Sequence, residues 1–289
     1  MSLLKRLFSG SGYDVAELAR RLNVSEEVLR SIQPSYHEFD IAKKSGGQRR
    51  IAAPSPDLKD LQRRILRRVL GRLRAHTSVT GFERGYSIVS NAACHVGRAV
   101  VVQMDIENFF PSTTAKRVEE YFRKIGWNRD ASALLSHLCT HKGALPQGAP
   151  TSPRLSNVVN FGMDARLRGL ADKHGAVYTR YADDLTFSFA QDDREDTSMV
   201  IRRTKAILKD YGYRIHHKRK LHIRRRHQRQ VVTGLTVNTR VSLPREVRRR
   251  LRAVEHHLAE GRPASMSAES LKGWHAFRQM VERQRDALG

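Results

Sequence analysis

The stretch VYTRYADDLTFSF, residues 177–189, alternates in polarity on both sides of the adjacent pair Asp183-Asp184. A period of two is the pattern of a half-buried strand, so the stretch reads as two strands joined by a tight turn that carries both carboxylates. Adjacent carboxylates repel unless they are solvated, protonated or bound to a cation, and a pair held at a turn suggests oxygen ligands for a hard ion such as Mg²⁺. Asp is also a common turn residue, so the pair alone leaves a solvated turn open. Upstream, Val100 to Met104 is a short apolar run broken only by Gln103; it reads as a strand that delivers a third carboxylate, Asp105, at its end.

Around these strands the chain mixes element types. Pro111 and Ser112 turn the chain, and a helix is expected from about Thr114, with Val118, Tyr121, Phe122 and Ile125 on one face. LPQGAPTSP (145–153) reads as a loop opening into a helix, with Ser152 at the N-cap and Pro153 first inside; Leu155, Val158, Val159, Met163, Leu167 and Leu170 continue it. A helix over about 196–210, an intensely basic run from Arg214 to Arg229, a strand over 230–237 and a basic helical region from about Pro244 onward complete this half. Toward the N-terminus, FDIAKKSGGQRRIA (39–52) reads as a β-hairpin whose tip carries Lys43, Lys44, Arg49 and Arg50. Residues 58–73 form one helix with a leucine-rich face and a basic back, and residues 14–32 two short helices, the second capped by Ser25. The order is α+β and lacks a regular βαβ repeat.

The 289 residues include 53 Lys+Arg against 29 Asp+Glu, a net charge of +24 spread along the whole chain. Such a body needs a polyanionic partner, and nucleic acid leads. A membrane is the competing polyanion, but no apolar run reaches the roughly 18–20 residues of a spanning helix, and MSLLKRLFSG lacks the apolar core of a signal peptide. Cys94 and Cys139 form neither a CxxC pair nor a disulfide framework, and the chain reads as cytoplasmic. Hydrophobic residues at 39% suffice for a folded core. A cationic body around an anionic cluster suits an enzyme that grips phosphates with Lys and Arg. Two divalent ions, roughly 3.5–4 Å apart, would then join its carboxylates to the reacting phosphate.

VVQMDIENFFPS (101–112), LPQGAPTSPRLSN (145–157) and YTRYADDLTFS (178–188) resemble, in order and spacing, the palm motifs of reverse transcriptases. SNAACHVG (90–97) and VVTGLTVN (231–238) carry the Asn-Ala-x-x-His and Val-Thr-Gly patterns of retron reverse transcriptases, and KKSGGQRRIAAPSPDLKDLQ (43–62) is similar to that family's fingers segment. The resemblance runs from about Phe39 to about Leu251. It implies a right-hand polymerase. An N-terminal helical segment (1–35) would precede mainly fingers (36–104), a palm with fingers elements between its motifs (105–238) and a small helical thumb (239–289).

The resemblance also implies roles. Asp105, Asp183 and Asp184 would be catalytic and hold two Mg²⁺ ions. Phe110 would be the aromatic gate beneath the sugar that excludes a 2′-hydroxyl, with Gln147 and Gly148 lining the nucleotide site and Lys44 and Arg50 meeting the triphosphate. Asn91, His95, Val232, Thr233 and Gly234 would serve recognition of the RNA, while Arg248 and Arg249 of the thumb would grip phosphates. The partners implied are a structured non-coding RNA that is both template and primer, its DNA product, dNTPs and an effector protein. Synthesis would start from an internal 2′-hydroxyl and leave a branched RNA–DNA product used against phage. The basic residue expected after the YADD hairpin is ambiguous among Lys218, Arg219 and Lys220, because His stands where Asn commonly precedes it. A group II intron-like or other bacterial reverse transcriptase, and a catalytically silent RNA-binding scaffold with a polymerase fold, are the competing readings.

Overall fold

The computed structural model describes residues 12–42, 46–216 and 221–288. Lys43 and Lys44 of the hairpin tip and Lys218, Arg219 and Lys220 lie outside them. The chain divides into two compact units: one takes residues up to His76 together with Glu107–Gly162, the other Thr77–Ile106 together with Met163 onward.

In the first unit, helices Val15–Leu22 and Glu26–Ser31 are started by side-chain caps: Asp14 accepts from the Glu17 amide and Ser25 from the Val28 amide. Strands β1 (Tyr36–Ala42) and β2 (Gln48–Pro54) form the expected hairpin, in register from Tyr36 opposite Pro54 to Ala42 opposite Gln48. The helix expected over 58–73 is shorter. It runs Pro56–Ile65 and passes into a π turn at Leu66–Leu70. The carbonyls of Leu70 and Leu73 are taken by the Arg154 guanidinium, which ends the helical ladder there. Leu58, Leu61 and Ile65 pack with Phe122, Leu135, Leu138 and Leu155 in one core contributed by helices Ala115–Lys124, Arg129–Cys139 and Ser152–Val159.

The helix expected to continue from Ser152 past Leu170 breaks at Asn160. Its side-chain amide donates to the Ser156 carbonyl (2.8 Å), its Oδ1 accepts from Arg117 (2.6 Å), and a second helix, Phe161–Lys173, begins beyond it.

The second unit is built on a four-stranded antiparallel sheet in the order β4-β5-β3-β6, with β3 Val100–Asp105, β4 Ala176–Tyr181, β5 Asp184–Phe189 and β6 Leu221–Arg225. Strand β3 is central, and Val100, Val101, Val102 and Met104 are at most 1% exposed. Burial at this level stabilises by about 1.5–3 kcal/mol per side chain. Strand β6 lies inside the run read as merely basic, where Leu221 and Ile223 alternate with His222 and Arg224 on an edge. Helix Arg194–Asp210 is capped by Asp193, which accepts from the Glu195 and Asp196 amides. The strand expected over 230–237 is two short strands, β7 (Val231–Val232) and β8 (Leu235–Thr236). Between them Thr233 (φ 46°) and Gly234 (φ 82°) both take left-handed backbone and fold the segment back on itself. Helices Arg245–Ala259 and Ala268–Asp286 follow, their Leu251 and Val281 sharing a core with Val101, Val232 and Leu235. No helix among the described residues is long and apolar enough to cross a membrane.

Candidate active site

Strand β3 ends where β5 begins. Their antiparallel register sets Asp105 directly opposite Asp184, and Tyr181 of β4 pairs with Asp184, which leaves Ala182 and Asp183 as the two-residue turn. Asp105 is 8% exposed; Asp183 and Asp184 are half-buried. The turn needs left-handed backbone at its first central residue, and Ala182 supplies it at φ 58°, a conformation that costs a residue with a Cβ about 1–2 kcal/mol.

Three contacts hold that strained turn, and a fourth ties the end of β3 beside it. Arg180 Nη1 donates to the Ala182 carbonyl (3.0 Å), and the Ile106 amide donates to the Asp183 carbonyl (3.0 Å). The His216 amide donates to the Asp105 carbonyl (3.0 Å), so the ends of all three chain segments are tied by main-chain bonds. Gly81 lies against the Ala182 amide so closely that a Cβ would sit 2.5 Å from it.

Arg180 is itself fixed. Fully buried, it meets Asp164, also fully buried, through Nε–Oδ1 (2.8 Å) and Nη2–Oδ2 (2.7 Å), and the Tyr178 hydroxyl donates to the same carboxylate (2.9 Å). Burial opposes the guanidinium's charge, but Asp164 outweighs it and holds the Arg180 pKa above its ordinary value. Burial, reinforced by Asp164, likewise pushes the Tyr178 phenol well above its own. Sequence reading missed this pair. An arginine among the inward positions of YTRYADD, which has to meet a buried carboxylate, was the available signal.

The two retron-like patterns, some 140 residues apart in sequence, meet in this unit. Asn91 and His95 are buried at 1% and 0% exposure and turn inward. Asn91 Oδ1 accepts from Thr80 Oγ1 (2.7 Å), and the Thr80 amide donates to the Arg180 carbonyl (2.9 Å). His95 is hydrogen-bonded to Ser188 of β5 (2.7 Å) and Thr179 of β4 (2.8 Å). Its burial, with Arg98 nearby, lowers its pKa to about 3, so the ring is neutral at pH 7. Thr233 Oγ1 donates to the Ile88 carbonyl (2.8 Å), Val232 is buried beside Val89, and Gly234 is exposed. Arg248 and Arg249 stand exposed on helix Arg245–Ala259.

The remaining candidates belong to the first unit. The Ala52 amide donates to the Gln147 carbonyl (2.9 Å), which docks the 145–150 loop along β2. Gly148, at φ 132°, has no space for a side chain, since a Cβ would lie 2.8 Å from the Ala52 carbonyl oxygen. Arg50 pairs with Glu38, whose carboxylate also takes Lys142 and His141. Lys142, then Arg50 and His141, hold the Glu38 carboxyl down at about 2. Phe109 is the core residue of its pair at 4% exposure, and Phe110 is half-buried beside it at a ring distance of 5.5 Å. Lys44 lies outside the described residues.

Among the described residues no three His, Cys, Asp or Glu side chains gather into a complete metal-binding group. The carboxylates still suit a hard divalent ion. Like charges directly opposite in a ladder repel, and Mg²⁺ is bound through one or two carboxylates with phosphate and water completing its shell.

Residues 41–237 match the family model described as reverse transcriptase (RNA-dependent DNA polymerase). The chain is 38% identical over 93% of its length to the retron Mx162 reverse transcriptase of Myxococcus xanthus and 37% identical over 92% to the retron Mx65 reverse transcriptase of the same organism. It is 35% identical over 90% of its length to the retron Ec86 reverse transcriptase of Escherichia coli. It spans 64% and 67% of the two Myxococcus relatives and 82% of the Escherichia one. Three carboxylates at the meeting point of β3 and the β4–β5 turn thus sit within a chain of which at least 90% aligns with these relatives, and the chain belongs to the retron reverse transcriptases, in the family of RNA-dependent DNA polymerases.

Proposed function

We propose that this chain is an RNA-directed DNA polymerase that copies part of a structured non-coding RNA, with Asp105, Asp183 and Asp184 as its metal-binding carboxylates. The register of Asp105 opposite Asp184, with Asp183 in the turn between paired strands, carries the reading. Divalent ions such as Mg²⁺, when bound, would raise the nucleophilicity of the attacking hydroxyl and offset charge on the departing pyrophosphate. The chain's own contribution is to hold the carboxylates in fixed register, through the Arg180 and Ile106 bonds to the turn, so that little reorganisation is needed when substrate arrives.

In this reading the β-sheet unit is the palm, the hairpin and its neighbouring helices supply fingers, and the helices from residue 245 onward form a thumb. Phe110 packs beneath the deoxyribose, the Gln147-Gly148 loop admits the nucleotide close to the backbone, and Arg50 exchanges Glu38 for the triphosphate. Because Asn91 and His95 are buried and bonded to Thr80 and to β4 and β5, their part is to support the catalytic hairpin, while Gly234 and the exposed Arg248 and Arg249 offer the RNA contact surface. The relatives are retron reverse transcriptases by name, and on the resemblance to that family we further propose that priming uses an RNA 2′-hydroxyl, that the product is branched, and that an effector acts with it in defence.

The test is extension by the purified protein with its nucleic acid, dNTPs and Mg²⁺. Wild type should extend, and Asp183→Asn should be slower by at least about a hundredfold, or roughly 3 kcal/mol. Equal extension by both, or none by wild type, overturns the enzymatic reading and leaves the scaffold. Extension confined to generic primer–template, with no specific RNA co-purifying, overturns the retron-type substrate.

A further inference from the structure

A cavity of about 1250 Å³ in the first unit is lined by groups that the polymerase reading leaves without a role. Helix Val15–Leu22 contributes Glu17, Arg20 and Arg21, and the stretch around the π turn contributes Arg68 and Arg72. The end of helix Ala115–Lys124 and the start of the next contribute Arg123, Lys124 and Arg129. Seven cations therefore surround one carboxylate. That carboxylate is already engaged: Glu17 accepts from Arg20 and Arg21 at 2.8 Å each, and Arg20, with Arg21, holds its carboxyl at about 2. Arg68, Arg72, Arg123, Lys124 and Arg129 form no ion pair among the described residues.

The floor is rigid and aromatic. Tyr13 and Trp127 lie 5.4 Å apart, and the Tyr13 amide donates to the Gly126 carbonyl while the Asn128 amide donates to the Tyr13 carbonyl, both at 2.8 Å. Gly12 is required beside them, because a Cβ would lie 2.7 Å from the Gly126 carbonyl oxygen. Arg21 sits over both rings, at 4.3 and 5.1 Å, and Arg68 Nη1 donates to its carbonyl at 2.9 Å.

Like charges crowded around a concavity focus a positive potential that only an anion relieves. The volume exceeds the roughly 300–1,000 Å³ of small-molecule sites, so the anion is a polymer segment. Cations over an aromatic floor are the means by which single-stranded nucleic acid is held, and a guanidinium seated on rings offers a plane on which a base stacks. A flat bilayer does not enter a cavity. None of the lining residues belongs to the segments that carry Asp105, Phe110, Gln147 or Asp183-Asp184. We propose that this cavity binds an unpaired segment of the RNA partner, outside the stretch being copied. The proposal rests on the RNA partner of the reading above and not on its catalytic residues.

The test compares wild-type protein with a triple variant, Arg68→Gln, Arg72→Gln, Arg123→Gln, whose three positions are exposed. The probes are the end-labelled RNA that co-purifies with wild type and a twelve-residue oligouridine. The variant should bind the RNA about tenfold or more weakly, and the slope of log affinity against log salt should fall by about two to three. Extension of saturating generic primer–template should be unchanged. In a Trp274→Phe background, oligouridine should alter Trp127 emission in the wild-type cavity and not in the variant. Unchanged affinity and slope overturn the proposal. So does a Trp127 response to polyglutamate equal to that for oligouridine, which would assign the cavity to an acidic protein. Failure of wild type to extend any template would sink the catalytic reading alone, since both binding measurements would still report on the cavity.

Discussion

Ala182 is a non-glycine residue in left-handed backbone next to two catalytic candidates, and Gly81 is the reason the turn can stay there. A methyl group at 81 would press into the Ala182 amide, and a backbone neighbour cannot step aside as a flexible side chain can. Gly81→Ala should therefore cost about 1–3 kcal/mol in urea denaturation and reduce extension, while RNA affinity, carried by exposed cations, stays close to wild type. Phe110→Val tests the sugar gate: the preference for dNTPs over rNTPs should fall by about tenfold or more in single-nucleotide incorporation, which discrimination by packing against one group permits. At this scale the aspartates were legible in the sequence because adjacent charges at the end of apolar strands are costly and visible. Arg180, Asp164 and Gly81 were not, because their meaning lies in partners 16 residues away or more that only folding brings near.

At the scale of elements, the β4–β5 hairpin is braced from behind by His95, and that brace is sensitive to acid. The ring is neutral in the fold down to about pH 3, whereas an unfolded histidine takes up a proton near 6.5. The unfolded chain thus binds more protons across that window, so stability falls as pH drops from 6.5 toward 3. Between pH 7.5 and 4.5 this residue should account for about 2–3 kcal/mol of lost stability, read as the difference in urea midpoints between wild type and His95→Gln. Arg180→Gln should cost about 3–5 kcal/mol by leaving Asp164 buried without its cation, and replacing both by leucine should recover part of the stability but not the extension rate. Helices and strands with an unmixed period were readable: the hairpin, β3 and the β4–β5 pair have the expected character. Strand β6 was hidden by its arginines, because an edge strand needs few apolar residues. The split at Thr233-Gly234 was hidden because valines and threonines on both sides read as one strand.

At the scale of the whole molecule, the charge of +24 includes the cavity cations of the first unit and the exposed arginines of helix Arg245–Ala259 in the second, and each group predicts a salt dependence of its own. Arg248→Gln with Arg249→Gln should weaken binding evenly across RNA sequences and lower the salt slope by about one to two in filter binding, since phosphate contacts carry no sequence information. The same ledger of charge explains why composition announced a polyanion but not its location: counting gives the excess, and folding decides which cations face a common cavity.

The junction of the two retron-like patterns also bears on how such proteins can be recombined. Ser87 donates to Gln284 of the last helix, and Thr233 donates to the Ile88 carbonyl, so the short helix at 88–93 is fastened to residues that arrive much later in the chain. A chimera that takes everything after residue 230 from a relative would inherit one half of each fastening. Only exchange of 87–95 along with the C-terminal graft should give a partner-swapped enzyme that folds.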